Sequence, residues 1–390
     1  MKNKKILPIL LVIIVYIFGA ALSYFIFSGT VNSQSLNSPV TQPKQAANGQ
    51  TMFDANLPKT ESCPLNGVKY SKQQENWWLQ HRPLGVMIEN HIDARPQSGL
   101  SGADVIYEAV AEGGITRFLA EFYCQDAGEV GPIRSARTYF VDFASEYGSS
   151  PLYTHVGGAN QPGPADALGQ IGDYGWEGYN DLNQFSIGFP VFWRDDTRQG
   201  HPVATEHTMY STVDKLWQYA ATTRKLTNVD KDGTSWTKGF VPYTFKDDAS
   251  LSQRPASQTI DVKFWASQPD YFVTWKYDSK TNTYLRFNAG APHIDRDTNK
   301  QIAAKDIVVL SMVEENANDG YVDNDHLLYD NKGTGKATVF MDGKKISANW
   351  EKDKRTSRTI ITDSSGTLIK FDRGLIWFQV LPTDGVLTVK

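Results

Sequence analysis

The longest apolar stretch of the chain lies at its beginning. Ile6 to Phe27 runs for 22 residues without a charge. As a helix rising about 1.5 Å per residue, it matches the roughly 30 Å hydrocarbon core of a bilayer. Lys2, Lys4 and Lys5 precede it, which favours a cytoplasmic N-terminus and a body outside. Pro8 falls near the start of the run, where a helix tolerates it. The pattern predicts one membrane-spanning anchor over residues 6–27. The competing reading is a cleaved signal peptide, with Ala21-Leu22-Ser23 as its processing site. Both readings leave the body outside the cytoplasm. No cysteine lies near the end of the run to carry a lipid. Residues 28–60 are rich in Ser, Asn, Gln, Thr and Pro, and predict a flexible stalk.

Beyond the stalk the pattern changes twice. Leu84-Gly85-Val86-Met87-Ile88 predicts a short buried strand. Ala103 to Phe122 fits a helix by its spacing, but Gly113-Gly114 between two runs fits a two-residue hairpin better. Pairing Glu112 with Ile115, Val110 with Arg117 and Glu108 with Leu119 puts Val105, Tyr107, Ala109, Ala111, Thr116, Phe118, Ala120 and Phe122 on one apolar face. The other face collects Glu108, Glu112, Arg117 and Glu121. A helix is predicted from Pro132 to Tyr147, burying Ala136, Phe140, Phe143 and Tyr147. A strand follows at Leu152–Val156 and a short helix at Pro164–Ile171. Ser211-Thr212-Val213-Asp214 reads as a capping box opening a helix to Ala220. Residues 82–222 are therefore expected to form an α/β domain.

From about Asp230 onward the period is two. Thr259–Trp265, Tyr271–Tyr277, Ile307–Val313, Ala337–Phe340 and Leu375–Leu381 read as strands. Asp342-Gly343 and Ser364-Ser365-Gly366 read as hairpin turns. Residues 257–385 are expected to form a mainly-β domain.

Composition narrows the function classes. The formal net charge of -4 gives no global attraction to nucleic acid or anionic lipid, so any anion site must be local. There is no HExxH, no GxSxG, no phosphate loop and no dinucleotide fingerprint. No cofactor or metal is expected. Outside the cytoplasm Cys63 and Cys124 form one disulfide or remain two thiols; spacing leaves both open.

Candidate chemistry concentrates at expected strand ends and at Gly131-Pro132-Ile133-Arg134-Ser135-Ala136-Arg137. Two arginines in the first turn of a helix oppose its dipole and require a negative partner. That partner is a bound carboxylate or phosphate, or a protein carboxylate such as Glu108 or Glu112. Glu89, Asn90 and His155 sit at predicted strand ends, where ligands of α/β sheets collect. Arg95 lies in the next loop. His207 precedes a helix, as a base, a ligand or a simple cap. The candidate ligand-binding set is Glu89, Asn90, Arg95, Glu108, Glu112, Arg117, Arg134, Arg137, His155 and His207.

Several of these segments resemble a known family. Ile88-Glu89-Asn90, Arg95-Pro96-Gln97-Ser98-Gly99-Leu100, Ala103-Asp104-Val105-Ile106-Tyr107-Glu108, Glu112-Gly113-Gly114-Ile115-Thr116-Arg117 and Gly131 to Arg137 are similar to the YerB-like lipoproteins of bacteria. Tyr284-Leu285-Arg286, Pro292-His293-Ile294-Asp295, Gly333-Thr334-Gly335-Lys336-Ala337 and Asn349-Trp350-Glu351-Lys352 resemble its second domain. The resemblance implies an N-terminal layered α/β sandwich and a C-terminal β domain at the cell envelope, and no particular activity. Many members carry a lipid, and here an apolar helix stands in its place. The expectation is a membrane-anchored envelope protein holding an anionic wall component or envelope partner through Arg95, Arg117, Arg134 and Arg137. The alternatives are an envelope hydrolase, with Glu89 or Glu112 working beside His155 or His207, and a scaffold for proteins.

Overall fold

Residues 43–46, 50–320 and 325–390 are described by the computed structural model. The expected anchor at residues 6–27 and the first part of the expected stalk lie outside them. Among the described residues, no helix is long and apolar enough to cross a membrane.

Ten of the described strands form the main sheet. In chain order they are β1 (Leu84–Glu89), β2 (Val105–Glu112), β3 (Ile115–Phe122), β4 (Leu152–His155), β5 (Asp181–Asn183), β6 (Asp306–Met312), β7 (Gly333–Met341), β8 (Lys344–Lys352), β9 (Ile360–Asp363) and β10 (Ile376–Pro382). Their order across the sheet is β5-β4-β1-β3-β2-β10-β6-β7-β8-β9. The strand β10 pairs in parallel with β2 on one side and with β6 on the other. The predicted α/β and β segments thus share a single sheet. A second sheet carries Thr259–Lys263, Val273–Asp278, Thr283–Asn288, Ala291–Pro292 and Val386–Val389.

Among the described residues, the α-helices are few and short. They are α1 (Lys72–Trp78), α2 (Thr138–Ala144), α3 (Ala167–Asp173), α4 (Gln184–Ile187) and α5 (Val213–Thr222). The described chain is mostly β. In α5 the cap is Thr212, whose hydroxyl accepts from Lys215 N–H at 3.1 Å. Ser211, expected in that role, bonds instead to Val191 O.

Both faces of the main sheet are covered, so β1 and β2 are buried at every position. On one face Tyr107 is stacked between Phe143 at 4.7 Å and Phe378 at 4.8 Å. On the other, Phe118 meets Trp377 edge-on at 5.4 Å, and Trp377 meets Trp275 of the second sheet at 5.2 Å. Each such pair is worth about 0.5–1.5 kcal/mol beyond its buried area.

The hairpin turns at Gly113-Gly114 with φ of 56° and 79°. Glu112 pairs with Ile115 as expected, but the ladder slips by one between Val110 and Glu112. Below that bulge Glu108 faces Phe118 and Ala109 faces Arg117. The expected polar face is therefore divided. Glu108 points toward the second sheet, and Arg117 and Glu121 point the other way. A bulge residue between paired strands has this effect on every side chain beyond it.

Two further expectations are corrected. The helix does not open at Pro132: residues 131–137 run extended, and α2 starts at Thr138. Ile133 and Arg134 donate their N–H groups to Met209 and Met87 carbonyls at 2.7 and 2.9 Å, and Ala136 N–H, which a helix would pair with Pro132 O, donates instead to Gly157 O at 2.9 Å while Pro132 O accepts from Glu89 N–H. The stalk also ends earlier than residue 60. Thr51 N–H donates to Asp126 Oδ2 at 2.7 Å and Asp54 N–H to Gln73 Oε1 at 2.8 Å, which docks this stretch on the body. Cys63 and Cys124 are joined by a disulfide, with Cα atoms 5.9 Å apart.

Candidate functional site

Strand β1 ends at Glu89, beside the extended segment 131–137. Glu89 N–H donates to Pro132 O at 2.9 Å. This brings Arg134 alongside the Glu89 side chain, with Nε 3.1 Å from Oε1. The other carboxylate oxygen takes His207 Nδ1 at 2.8 Å. The partner that Arg134 requires is thus Glu89. Burial alone would raise the Glu89 carboxyl. The bond from His207 and the charges of Arg134 and Arg117 outweigh it and hold the group below the usual carboxylate range. The same bond to Glu89 raises His207 against the effect of its burial. His91 lies on His207, with ring centroids 4.6 Å apart and planes within 8°.

Asn90 belongs to a buried polar ring. Its Nδ2 donates to Thr116 Oγ1 at 2.7 Å, and Thr116 Oγ1 donates to Glu108 Oε1 at 3.0 Å. Glu108 Oε1 also accepts from Arg286 Nη2 at 2.7 Å. Arg286 Nη1 donates to His293 Nδ1 at 2.6 Å, and His293 Nε2–H to Gln97 Oε1 at 2.7 Å. Gln97 Nε2 closes the ring on Asn90 Oδ1 at 3.0 Å. Each link of the ring pairs a donor with an acceptor, as a low-dielectric interior favours, and Arg286 Nε is the atom left without a partner. Burial lowers His293 well below its ordinary value, and Arg286 and Arg95 lower it further, so the ring is neutral and Nδ1 is free to accept. Glu108 accepts two more bonds, from Trp377 Nε1 at 3.0 Å and Gln379 Nε2 at 3.3 Å.

Most of the expected site residues are used up in such contacts. Arg95 donates to Asn90 Oδ1 at 3.0 Å and to Asp270 O at 3.0 Å, and covers the Tyr271 ring. Glu112 receives Arg117 at 2.8 Å and Arg137 on its other oxygen. His155 is fully buried, with Nδ1 on Gly157 O and Nε2 on Asp181 Oδ1, both at 2.6 Å. Neither nitrogen is left for a ligand. The ten residues therefore do not converge on one pocket. Glu89, Arg134 and His207 form one group, Glu112, Arg117 and Arg137 a second, and Asn90, Arg95 and Glu108 belong with the ring. Arg117 and Arg137 are buried against Glu112, and Arg95 is half-buried between Asn90 and Asp270.

Arg134 reaches an open cleft. This cleft has a volume of about 610 Å³. Its wall includes Gly157 and Gly158 at the end of β4, Arg194, Glu206 and the exposed ring of Phe185. Gly157 has φ of 60°, and a Cβ there would meet Phe185 at 2.9 Å, so glycine lets the aromatic ring close on the backbone. Arg194 donates to Thr205 O and, at 3.2 Å, to Thr208 Oγ1, which fixes its head at the rim.

Two family profiles match this chain. Residues 67–227 match "Protein of unknown function (DUF3048) N-terminal domain", and residues 260–378 match the corresponding C-terminal domain. The chain belongs to the DUF3048 family. A Bacillus subtilis (strain 168) protein named "Putative lipoprotein YerB" is 29% identical over 328 residues, spanning 83% of this chain and 87% of that one. The crystal structure of YerB from Bacillus subtilis superposes with a TM-score of 0.68 at 26% identity, covering 85% of this chain and all of that one. The resemblance drawn from the sequence motifs is thus shown.

Within this family pattern several residues gain roles that sequence reasoning did not assign. Arg286, His293 and Gln97 complete the polar ring, although the motifs around them had been recognised. Asp181 partners His155. His91 lies two residues beyond Glu89, and its stacking on His207 distinguishes it from an ordinary loop histidine.

Proposed function

We propose that the protein acts outside the cytoplasm at the cell envelope, holding an anionic group of an envelope component in the Arg134–Arg194 cleft. One observation carries this reading: two arginines whose heads are only partly occupied face the same open cleft, beside glycine backbone and an exposed aromatic ring. Arginine suits carboxylate and phosphate geometry. Phe185 offers an apolar contact to the rest of such a ligand. The naming of the relative as a lipoprotein supports the location. For this chain the attachment would be the apolar run at residues 6–27, with a single crossing and the body outside.

The test uses the full chain in detergent. A phosphodiester-linked wall polymer and peptides with a free terminal carboxylate are titrated against it. Arg134→Gln and Arg194→Gln should each weaken binding by about tenfold or more, the loss of one charge-assisted contact. Arg194 is exposed, so its variant should fold normally. Unchanged binding in both folded variants would sink the idea. The anchor is tested apart: the mature protein should retain Met1 to Phe27 and pellet with membranes.

A second reading is an envelope hydrolase. It is favoured by the 2.8 Å contact between Glu89 and His207, a carboxylate within reach of a histidine beside the cleft. His207→Gln should then abolish turnover while binding persists.

A further inference from the structure

We propose that His91, Asp93 and His207 form a binding site for one divalent cation of the zinc class, with Glu89 orienting His207. One donor atom of each of the three residues lies within 4.8 Å of the other two. His91 Nδ1 and Asp93 Oδ2 are 3.7 Å apart. In a tetrahedral site with bonds of about 2.0–2.1 Å, donors stand about 3.3 Å from one another. The three donors therefore need to close by at most about 1.5 Å, and the His91 ring, which lies parallel on His207, must turn out of the stack so that both lone pairs aim at one ion. His91 and Asp93 have the freedom to do so, their side chains being 27% and 47% exposed.

The protonation pattern fits as well. In the neutral ring, His207 Nδ1 donates to Glu89 Oε2, which leaves the lone pair on Nε2. A carboxylate behind a histidine in this way fixes the ring and raises its basicity as a ligand. His91 Nδ1 already acts as an acceptor, from Asp93 N–H at 3.2 Å, so its lone pair is directed toward the Asp93 loop. A metal would replace that long bond with a stronger one. Two imidazoles and one carboxylate suit zinc-class ions rather than calcium or magnesium, which prefer oxygen. Three protein ligands leave a fourth position for water or an anion. The cysteines do not compete, since both are in the disulfide.

This inference does not depend on the anion reading or on the hydrolase reading. Tag-free full-length protein is stripped with chelator and dialysed against micromolar zinc chloride, and bound metal is measured by mass spectrometry. One equivalent per chain is expected. His91→Asn and His207→Gln should each lower zinc affinity by about tenfold or more, and Glu89→Gln by about 10- to 100-fold, the usual effect of removing a carboxylate behind a ligand. Circular dichroism confirms folding. Should His207→Gln unfold, His91→Asn remains decisive, because that side chain is partly exposed and bonds only to its own loop. The proposal fails if the native chain takes up no zinc, or if folded His91→Asn binds it with native affinity.

Discussion

The Glu108–Arg286 pair offers the sharpest test of how the two halves of the chain hold together. Both side chains are fully buried, and Nη2 lies 2.7 Å from Oε1. The guanidinium also sits over the rings of Phe118, Trp275 and Trp377, at 5.4, 5.7 and 4.9 Å from their centres. Replacing Arg286 with Met keeps much of the apolar volume and removes the charge. Glu108 retains its donors from Thr116, Trp377 and Gln379, but loses its counter-ion. Removing one partner of a buried pair costs about 3–5 kcal/mol. Arg286→Met should therefore lower unfolding free energy by that amount in urea, read by tryptophan fluorescence and circular dichroism together. Glu108→Gln alone should also destabilise. The double variant should be less damaged than the sum of the two, with a coupling of about 1 kcal/mol or more. Both probes should move in a single transition, because the pair joins β2 to the second sheet. A loss under about 1 kcal/mol in Arg286→Met, or additive single effects, would refute this account of the pair.

Other consequences follow from burial and protonation. His207 is raised in the folded state, so its stabilising contribution is fully present below pH 6.5 and disappears as pH rises through the folded value; His207→Gln should cost more stability at pH 5.5 than at pH 8.5, and an equal cost at both would count against the Glu89–His207 bond. Glu121 is fully buried with no hydrogen bond to either oxygen, and burial raises it well above the usual carboxylate range. Its cost appears as pH rises past the unfolded value near 4.5, so Glu121→Gln should gain on the native chain in urea midpoints between pH 4 and pH 7, and a constant difference would argue otherwise. The Cys63–Cys124 bridge spans 61 positions, and chain entropy assigns such a loop about 4 kcal/mol; reduction or paired Cys→Ser replacement should lower stability by up to that much, and an unchanged thermal midpoint would exclude it.

Local turn chemistry made much of the fold legible. Gly113-Gly114 and Asp342-Gly343 each specify a turn with positive φ, and strands flank both. Side-chain direction was less legible, for two physical reasons. A bulge at Ala111 leaves no mark in composition, yet it sends Glu108 to the opposite side from Arg117. In the strand Thr283–Asn288 the apolar alternation favours Leu285 and Phe287 as the inward set, whereas Tyr284, Arg286 and Asn288 are the buried ones. A charged inward residue makes sense only once its partner, 178 positions away, is known. Pro132 suits the first position of a helix, and on that ground alone the arginines of residues 131–137 resemble a helix start. Tertiary pairing of their N–H groups decided otherwise. The need for a negative partner was right in kind, and protein carboxylates supply it.

The placement of β10 has a bearing on how the chain is made. This strand occupies the middle of the main sheet, between β2 and β6, yet it is made after every other strand of that sheet. Until residues 376–382 arrive, β2 presents an unpaired edge with apolar side chains on both faces. Such an edge invites association with other chains. The early half therefore has no finished native state to adopt during synthesis, and its completion waits for contacts between residues more than two hundred positions apart. A chain built in this way keeps its first half open until residues 376–382 have been made and can fill the gap between β2 and β6.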